Sequence, residues 1–295
     1  MRSIILTLTL AAALQAAIIP DVRALANKAE FDAAEKLIEQ HKKERGQTPE
    51  WLEAYSWLAR GALNNKQYDK AADYAAKTRE MSLAELKNRP LDQEPRLPIA
   101  FGASQEVHAQ ALAAKGQRSE AVTFLSGELK TYRNTSIRTR LQKNLNLLTL
   151  EGQSAPPIAS KKWAYGGKPT LVFLWAHWCG DCKQQAPILA KLRDEFSPKG
   201  LVIVAPTRLY GYVARGEDAA PDVERQYISK IVGEHYAMLK QMPVIIDEET
   251  FVQYGSSTTP TLVLVDAKGK VRMYHPGRMT YDELSAKLRE VLPAT

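Results

Sequence analysis

The chain's only two cysteines are separated by two residues and follow closely after an apolar run. The run Leu171–Leu174 has the character of a buried β-strand, and a helical pattern follows Cys182. A strand therefore ends and a helix begins at the cysteine pair. The first turn of a helix has unpaired N–H groups and a positive dipole end, so we expect the pKa of Cys179 to lie below that of a free thiol.

Three kinds of site use cysteines at this spacing. In a redox-active dithiol, Cys179 is the nucleophile and Cys182 is near enough to resolve a mixed disulfide. A structural disulfide around two residues would constrain the unfolded chain little. A zinc site needs four ligands, or three and a water, and only His177 and His275 could join the pair. The spacing favours the redox site and leaves the other two open.

Three segments resemble the thioredoxin family. The motif Trp178-Cys179-Gly180-Asp181-Cys182-Lys183 resembles the active-site turn, Thr259-Pro260-Thr261-Leu262 resembles the cis-proline segment, and Gly277 stands where the family has a glycine after its last strand. The long separation between the first two segments resembles the TlpA/ResA-like branch of extracytoplasmic thiol-disulfide oxidoreductases. The resemblance covers about 151–293 and implies an α/β thioredoxin fold for that half.

The resemblance also implies roles for individual residues. Cys179 would attack a disulfide and Cys182 would resolve the adduct, so that the oxidised enzyme carries a Cys179–Cys182 disulfide. No metal and no bound organic cofactor are implied. The partners would be protein disulfides or dithiols and an upstream thiol electron donor, which could be membrane-bound. The substrate-binding and supporting positions would be Trp178, Gly180, Asp181, Thr259 and Pro260.

Asp181 departs from the family pattern, because many relatives have proline there. A carboxylate beside Cys179 repels a thiolate and opposes part of the lowering of its pKa. A less stabilised thiolate makes the couple more reducing. The sequence therefore predicts a protein disulfide reductase rather than a strong oxidant.

Phe173 is the second departure, since thioredoxins carry a buried aspartate on the central strand. The proton acceptor for Cys182 is therefore unassigned from the sequence. Glu217 and Asp218 are the carboxylate candidates. His177 could assist from beside the motif, although a lone histidine is more often an exposed loop residue.

A long loop, 208–221, follows the next predicted strand, and it either shapes substrate choice or is a plain surface insertion. Residues 222–240 then have a helical pattern. The face predicted to be apolar comprises Val223, Tyr227, Ile231, His235 and Leu239.

Residues 21–150 are rich in alanine, leucine and charged helix formers. Three stretches have a helix–turn–helix pattern, with Ala34, Ala71 and Ala121 at corresponding positions. They resemble degenerate tetratricopeptide repeats, whose period is about 34 residues. An irregular helical bundle is the alternative. The expected architecture is an all-α helical-repeat domain, 21–150, able to dock a partner protein, before the thioredoxin-like domain, 151–295.

The first 20 residues have a different composition from the rest. Arg2 precedes an apolar stretch, and Ala16 and Ala17 are small residues suited to cleavage. Residues 1–20 therefore have the pattern of a secretory signal peptide, and we expect a periplasmic protein, membrane-tethered if the segment is not cleaved. The net charge of +7 is spread along the chain, which favours solvated helix faces over nucleic-acid binding.

Two other functions fit parts of the sequence. A redoxin-type peroxidase would carry Thr or Ser three residues before its reactive cysteine, where this chain has Ala176. A repeat-based binding module would leave the cysteine pair incidental. We expect a thiol-disulfide oxidoreductase over either alternative.

Overall fold

The structure, a computed structural model, describes residues 18–159, 164–165, 167–239 and 242–292. Most of the predicted signal peptide lies outside these residues, and the first helix begins at Ile18, inside the predicted segment 1–20. Among the described residues, no helix is both long enough and apolar enough to span a bilayer. The helices are α1 (Ile18–Asn27), α2 (Phe31–Arg45), α3 (Pro49–Asn64), α4 (Tyr68–Glu85), α5 (Leu97–Ala114), α6 (Arg118–Thr131), α7 (Arg138–Thr149), α8 (Gly180–Phe196), α9 (Pro221–His235), α10 (Glu248–Gln253) and α11 (Tyr281–Val291).

The described chain divides into two compact units. The first holds the residues up to Pro90 together with Glu94–Ser104, and the second holds Leu91–Gln93 and the residues from Gln105 onward. The predicted boundary between residues 150 and 151 therefore differs from the division in the structure. Helices α6 and α7 belong to the same unit as the sheet.

The first unit is helical, as the sequence predicts. Helices α1 and α3 approach so closely that a Cβ on Gly61 would come within 2.6 Å of the Ala26 Cβ. Ala34 and Ala71, the small residues of the predicted helix–turn–helix pattern, are fully buried. Small side chains at these points let helix backbones pack tightly. The helix pairs are present, and their assignment to tetratricopeptide repeats stays a prediction.

The second unit contains a five-stranded mixed sheet in the order β3-β2-β1-β4-β5. Strand β1 lies at the centre and pairs in parallel with β2 and antiparallel with β4. Strand β3 extends the parallel side, and β5 forms the antiparallel edge with β4. The strands are β1 (Thr170–Leu174), β2 (Val202–Thr207), β3 (Val244–Ile246), β4 (Thr261–Val265) and β5 (Val271–Pro276).

Both faces of the central strand are covered. Successive side chains of a strand point to opposite faces, so Leu171 and Phe173 join one apolar core and Val172 and Leu174 join another. The first core includes both cysteines and residues of α8, α9 and α11. This double burial explains why β1 is apolar without alternation.

Helix α7 packs directly on the sheet domain, and this contact places it in the second unit. The Asn146 side-chain amide donates to the Gln253 carbonyl at 3.1 Å. Gly255 adopts φ +59°, and a Cβ there would lie 2.2 Å from the backbone nitrogen of Lys143. Only glycine lets the two backbones approach this closely.

A largely buried ion cluster in the second unit predicts a pH-dependent stability. Burial acts to raise the pKa of Glu106, but the charges of Arg140 and Lys143 outweigh it and lower the pKa to about 2. Because the unfolded value is about 4.3, this contribution is complete above that pH and is lost as the pH falls toward the folded value. We expect Glu106→Gln to lower the free energy of unfolding at pH 7 by roughly 3 kcal/mol.

Urea denaturation at a series of pH values tests this expectation. The difference between the wild type and Glu106→Gln should shrink steadily in acid. Glu120→Gln, which changes an exposed carboxylate on α6, should leave the pH profile unchanged. A stability difference that stays constant between neutral and acid pH would contradict the assignment.

Candidate active site

The cysteine pair lies at the start of α8, as predicted from the sequence. Cys179 is the N-cap of the helix, and its Sγ accepts a hydrogen bond from the Cys182 backbone N–H at 3.0 Å. The two residues form a disulfide, with their Cα atoms 5.3 Å apart. An N–H group aimed at Sγ, together with the helix dipole, favours negative charge on that sulfur.

Three neighbouring side chains differ sharply in exposure. Cys182 is fully buried and Cys179 is 3% exposed, whereas Trp178 is 50% exposed. Trp178, next to Cys179 in the chain, therefore offers a large exposed apolar surface, whereas both cysteines belong to the apolar core. Among the described residues, no group of His, Cys, Asp and Glu could hold a metal ion.

A tight turn connects β1 to the cysteines. The Cys179 N–H donates to the Ala176 carbonyl at 3.1 Å, so His177 and Trp178 occupy the two central positions of the turn. The end of β1 is fixed to β2, since the Thr207 hydroxyl donates to the Trp175 carbonyl at 2.8 Å. The turn thus projects from a rigid strand end.

The proline segment lies at the same end of the sheet. The Thr259–Pro260 peptide bond is cis, as the resemblance implied. Thr261, the next residue, pairs with Leu174 at the end of β1. The Pro260 carbonyl accepts a hydrogen bond from the Gly277 N–H at 2.8 Å. The three segments that carried the resemblance therefore meet at one edge of the sheet.

The segment after β5 is tied to α8. Arg278 Nε lies 3.4 Å from Asp181 Oδ1, and both side chains are about half exposed. The Arg278 guanidinium also donates to Gln184, and the Gln185 side-chain oxygen accepts from the Met279 N–H at 3.0 Å. Asp181 thus has a counter-ion that the sequence did not reveal, which weakens its effect on Cys179.

His177 is buried, contrary to its expectation as an exposed loop residue. Its Nε2 lies 3.0 Å from Oε1 of Glu224, and both side chains are fully inaccessible. Burial lowers the pKa of His177, although the hydrogen bond to Glu224 acts to raise it. Its ring is surrounded edge-on by three tyrosine rings, those of Tyr210, Tyr212 and Tyr227, with centroids 5.3–5.5 Å away.

Glu224 is the buried carboxylate of this region, and the sequence reasoning missed it. The candidates Glu217 and Asp218 are both exposed. Glu224 lies in the first turn of α9, directly after the loop 208–220, where an acidic residue normally faces solvent near the helix dipole. No sequence signal separates it from an ordinary residue of that kind.

Comparison with known proteins agrees with this geometry. A family model described as a thioredoxin-like domain matches residues 157–292. Residues 157–292 form a thioredoxin-like domain. The predicted resemblance and fold are therefore confirmed for this half of the chain, and the enzyme class that this domain indicates is thiol-disulfide oxidoreductase.

Three relatives share this domain. The thioredoxin-like protein YneN of Bacillus subtilis is 29% identical over 47% of this chain and 78% of its own length. The thiol-disulfide oxidoreductase ResA of Geobacillus thermodenitrificans is 27% identical over 44% of this chain and 66% of its own length. The thiol:disulfide interchange protein DsbE of Xylella fastidiosa is 28% identical over 46% of this chain. The match spans 61% of DsbE, so the likeness concerns the domain rather than the whole proteins.

Proposed function

We propose that this protein reduces disulfide bonds of other proteins by thiol–disulfide exchange through Cys179 and Cys182. The observation that carries the proposal is the position of Cys179. It caps α8, receives the Cys182 N–H at 3.0 Å, and lies beside the exposed ring of Trp178. Such a sulfur is stabilised as a thiolate, and the exposed ring next to it in the chain marks where a partner can approach.

The reaction follows from the two positions. In the reduced enzyme the Cys179 thiolate attacks one sulfur of the substrate disulfide, whose S–S bond breaks and releases the other sulfur as a thiolate that takes up a proton. The Cys182 thiol then loses its proton and attacks Cys179 Sγ. The mixed disulfide breaks, the second substrate thiol is released, and the enzyme disulfide forms. Two electrons pass to the substrate, and an upstream thiol donor must return them.

The remaining predicted site residues act as supports in this proposal. Trp178 gives the partner an apolar contact surface, and the backbone of Thr259 beside Pro260 pairs with an extended stretch of the partner. Gly180 begins α8, and Asp181 tunes the thiolate. Their positions support these roles: Gly180 and Asp181 lie in the first turn of α8, and Thr259 and Pro260 directly precede β4, whose first residue pairs with the last residue of β1.

We also place the protein outside the cytoplasm, because residues 1–20 have the composition of a signal peptide. A periplasmic reductase would receive its electrons from a thiol donor that is itself membrane-bound. The helical unit would serve as a docking platform for a partner protein. Its helix pairs with small buried alanines support this role.

The redox potential of the cysteine pair tests the direction of electron flow. Equilibration in glutathione or dithiothreitol buffers, followed by thiol trapping, should give a value near that of thioredoxin, about −270 mV, rather than near that of DsbA, about −120 mV. Asp181→Asn removes the negative charge beside Cys179 and should raise the potential by roughly 10–20 mV, because exposed charges interact weakly.

Asp194→Asn is the matched control. It removes an exposed carboxylate from the same helix, at the end far from the cysteines, and should leave the potential unchanged. A wild-type potential near the DsbA value would indicate a disulfide donor and would overturn the reductase proposal. A lower potential in Asp181→Asn would overturn the role of Asp181.

A further inference from the structure

The buried pair of Glu224 and His177 takes no part in the exchange steps described above, yet it lies directly behind the active-site turn. His177 precedes Cys179 by two residues, and Glu224 belongs to α9, a separate element. A buried ionised carboxylate is costly unless its oxygens are satisfied by donors. The segments that supply those donors are therefore the segments that this pair joins.

Glu224 receives three hydrogen bonds, and they come from two different segments. Its Oε1 accepts from the Tyr210 N–H at 2.6 Å and faces His177 Nε2 at 3.0 Å, and its Oε2 accepts from the Gly211 N–H at 2.8 Å. The two backbone N–H groups can only donate, and the His177 tautomer that carries its proton on Nε2 donates the third hydrogen bond. The carboxylate therefore joins the base of the loop 208–220 to the active-site turn.

The aromatic contacts follow the same connection. The Tyr210 ring packs edge-on against Trp178, with centroids 5.5 Å apart, and also against His177. Tyr212 contacts both Tyr210 and His177. Trp178 would otherwise be a half-exposed ring on a two-residue turn, with rotamer freedom to lose when a partner binds.

We propose that His177 and Glu224 are positioning residues for partner binding, which hold Tyr210 against Trp178, with Tyr212 packed behind Tyr210, and so preform an aromatic face next to Cys179. The partner segment that fits this face is an apolar stretch of polypeptide next to a disulfide. This inference rests on the proposed function, since it concerns how the disulfide substrate is held. It assigns the loop 208–220 to the site rather than to a plain surface insertion.

Two variants test the proposal. Glu224→Gln keeps the size of the side chain but replaces one carboxylate oxygen by an NH₂ group. Because NH₂ only donates, at least one of the three hydrogen bonds that Glu224 accepts should be lost. His177→Phe keeps a ring among the tyrosines but removes the Nε2–H donor. Glu234→Gln and His235→Phe make the same changes near the end of α9, away from the loop, and serve as matched controls.

We expect the variants to affect protein disulfides but not small disulfides, and KM rather than kcat. In both test variants KM for a protein disulfide, such as that of insulin, should rise roughly tenfold with little change in kcat, as for loss of a preformed contact surface. The rate with a small disulfide, such as hydroxyethyl disulfide, should stay within about twofold, because it contacts only Cys179. The controls should match the wild type with both substrates.

Hydrogen exchange gives a readout independent of activity. In Glu224→Gln the peptide that contains the Tyr210 and Gly211 amides should exchange faster than in the wild type and in Glu234→Gln. Unchanged exchange and unchanged KM would overturn the proposal. Equal losses with both substrates, accompanied by a lower melting temperature, would assign the pair a purely structural role. A wild-type protein without exchange activity on any disulfide would instead refute the proposed function itself.

Discussion

Cys179→Ser should lower the rate of protein disulfide reduction by at least about a thousandfold, because a serine hydroxyl is not ionised at neutral pH and cannot attack sulfur as a thiolate does. Cys179 caps α8 and follows the exposed Trp178, and the chain's only other thiol, Cys182, is fully buried and cannot take its role. Insulin reduction with dithiothreitol as electron source, measured by turbidity, gives the rate.

Cys182→Ser should behave differently. Cys179 can still attack, but nothing resolves the adduct, so a mixed disulfide with the substrate should accumulate in an amount close to that of the enzyme. Mass spectrometry under non-reducing conditions measures it, and peptide mapping should find it at Cys179. This variant should turn over no faster than Cys179→Ser.

The double variant, with serine at both positions, is the control that keeps the fold and lacks both thiols. It should form no adduct and should retain the helix content of the wild type. Adduct formation at Cys182 in the Cys179→Ser protein would contradict the assignment of nucleophile and resolving residue. An adduct-free Cys182→Ser protein with full turnover would refute the two-cysteine mechanism.

Gly255→Ala should destabilise the second unit by more than about 3 kcal/mol. The added Cβ would clash with backbone atoms, which cannot change rotamer to relieve the overlap as a side chain can. The added Cβ would lie 2.2 Å from the Lys143 nitrogen and 2.5 Å from the Lys143 Cα on α7. The left-handed backbone at φ +59° adds a further cost for any residue with a Cβ. Urea denaturation, followed by far-UV circular dichroism, measures the change.

Gly152→Ala separates the two contributions. Gly152 also has a positive φ, +83°, but nothing lies within 4 Å of a Cβ placed there. It should therefore cost only about 1 kcal/mol. An equal loss of stability in the two variants would show that α7 does not press on Gly255 as the structure describes.

Local signals in the sequence were enough to find the redox centre. The apolar run before Cys179 and the helical pattern after Cys182 gave β1 and α8, and the predicted closing helix matches α11 at both ends, Tyr281 and Val291. These elements are specified by side chains within a few positions of one another: Thr280 and Glu283, for example, form a capping box at the start of α11.

The burial of α9 could not be predicted in the same way. The apolar pattern predicted Val223 and Tyr227 on the inner face, but Val223 is 52% exposed and Glu224 is buried. Further along the predicted face the pattern is correct, since Ile231 and Leu239 are buried. Only the first turn departs from it, because Glu224 finds its donors on His177 and on the backbone of the loop. Hydrophobic periodicity assumes that polar side chains face water, and it fails where distant segments supply the hydrogen bonds. The exposed reading of His177 failed for the same reason.

The loop 208–220 is anchored at its base by Glu224, and its tip takes no part in that anchor. Beyond Gly211 the loop closes on itself through backbone bonds, with the Val213 N–H donating to the Glu217 carbonyl at 2.9 Å and the Ala219 N–H to the Gly211 carbonyl at 2.9 Å. The side chains from 214 to 218 are exposed. Arg215 and Gly216 have positive φ angles, +59° and +77°, which restrict substitution at these two positions. Because backbone bonds do not depend on side-chain identity, Ala214, Glu217 and Asp218 can be substituted, for example to present a recognition sequence, without disturbing the scaffold that carries the chemistry.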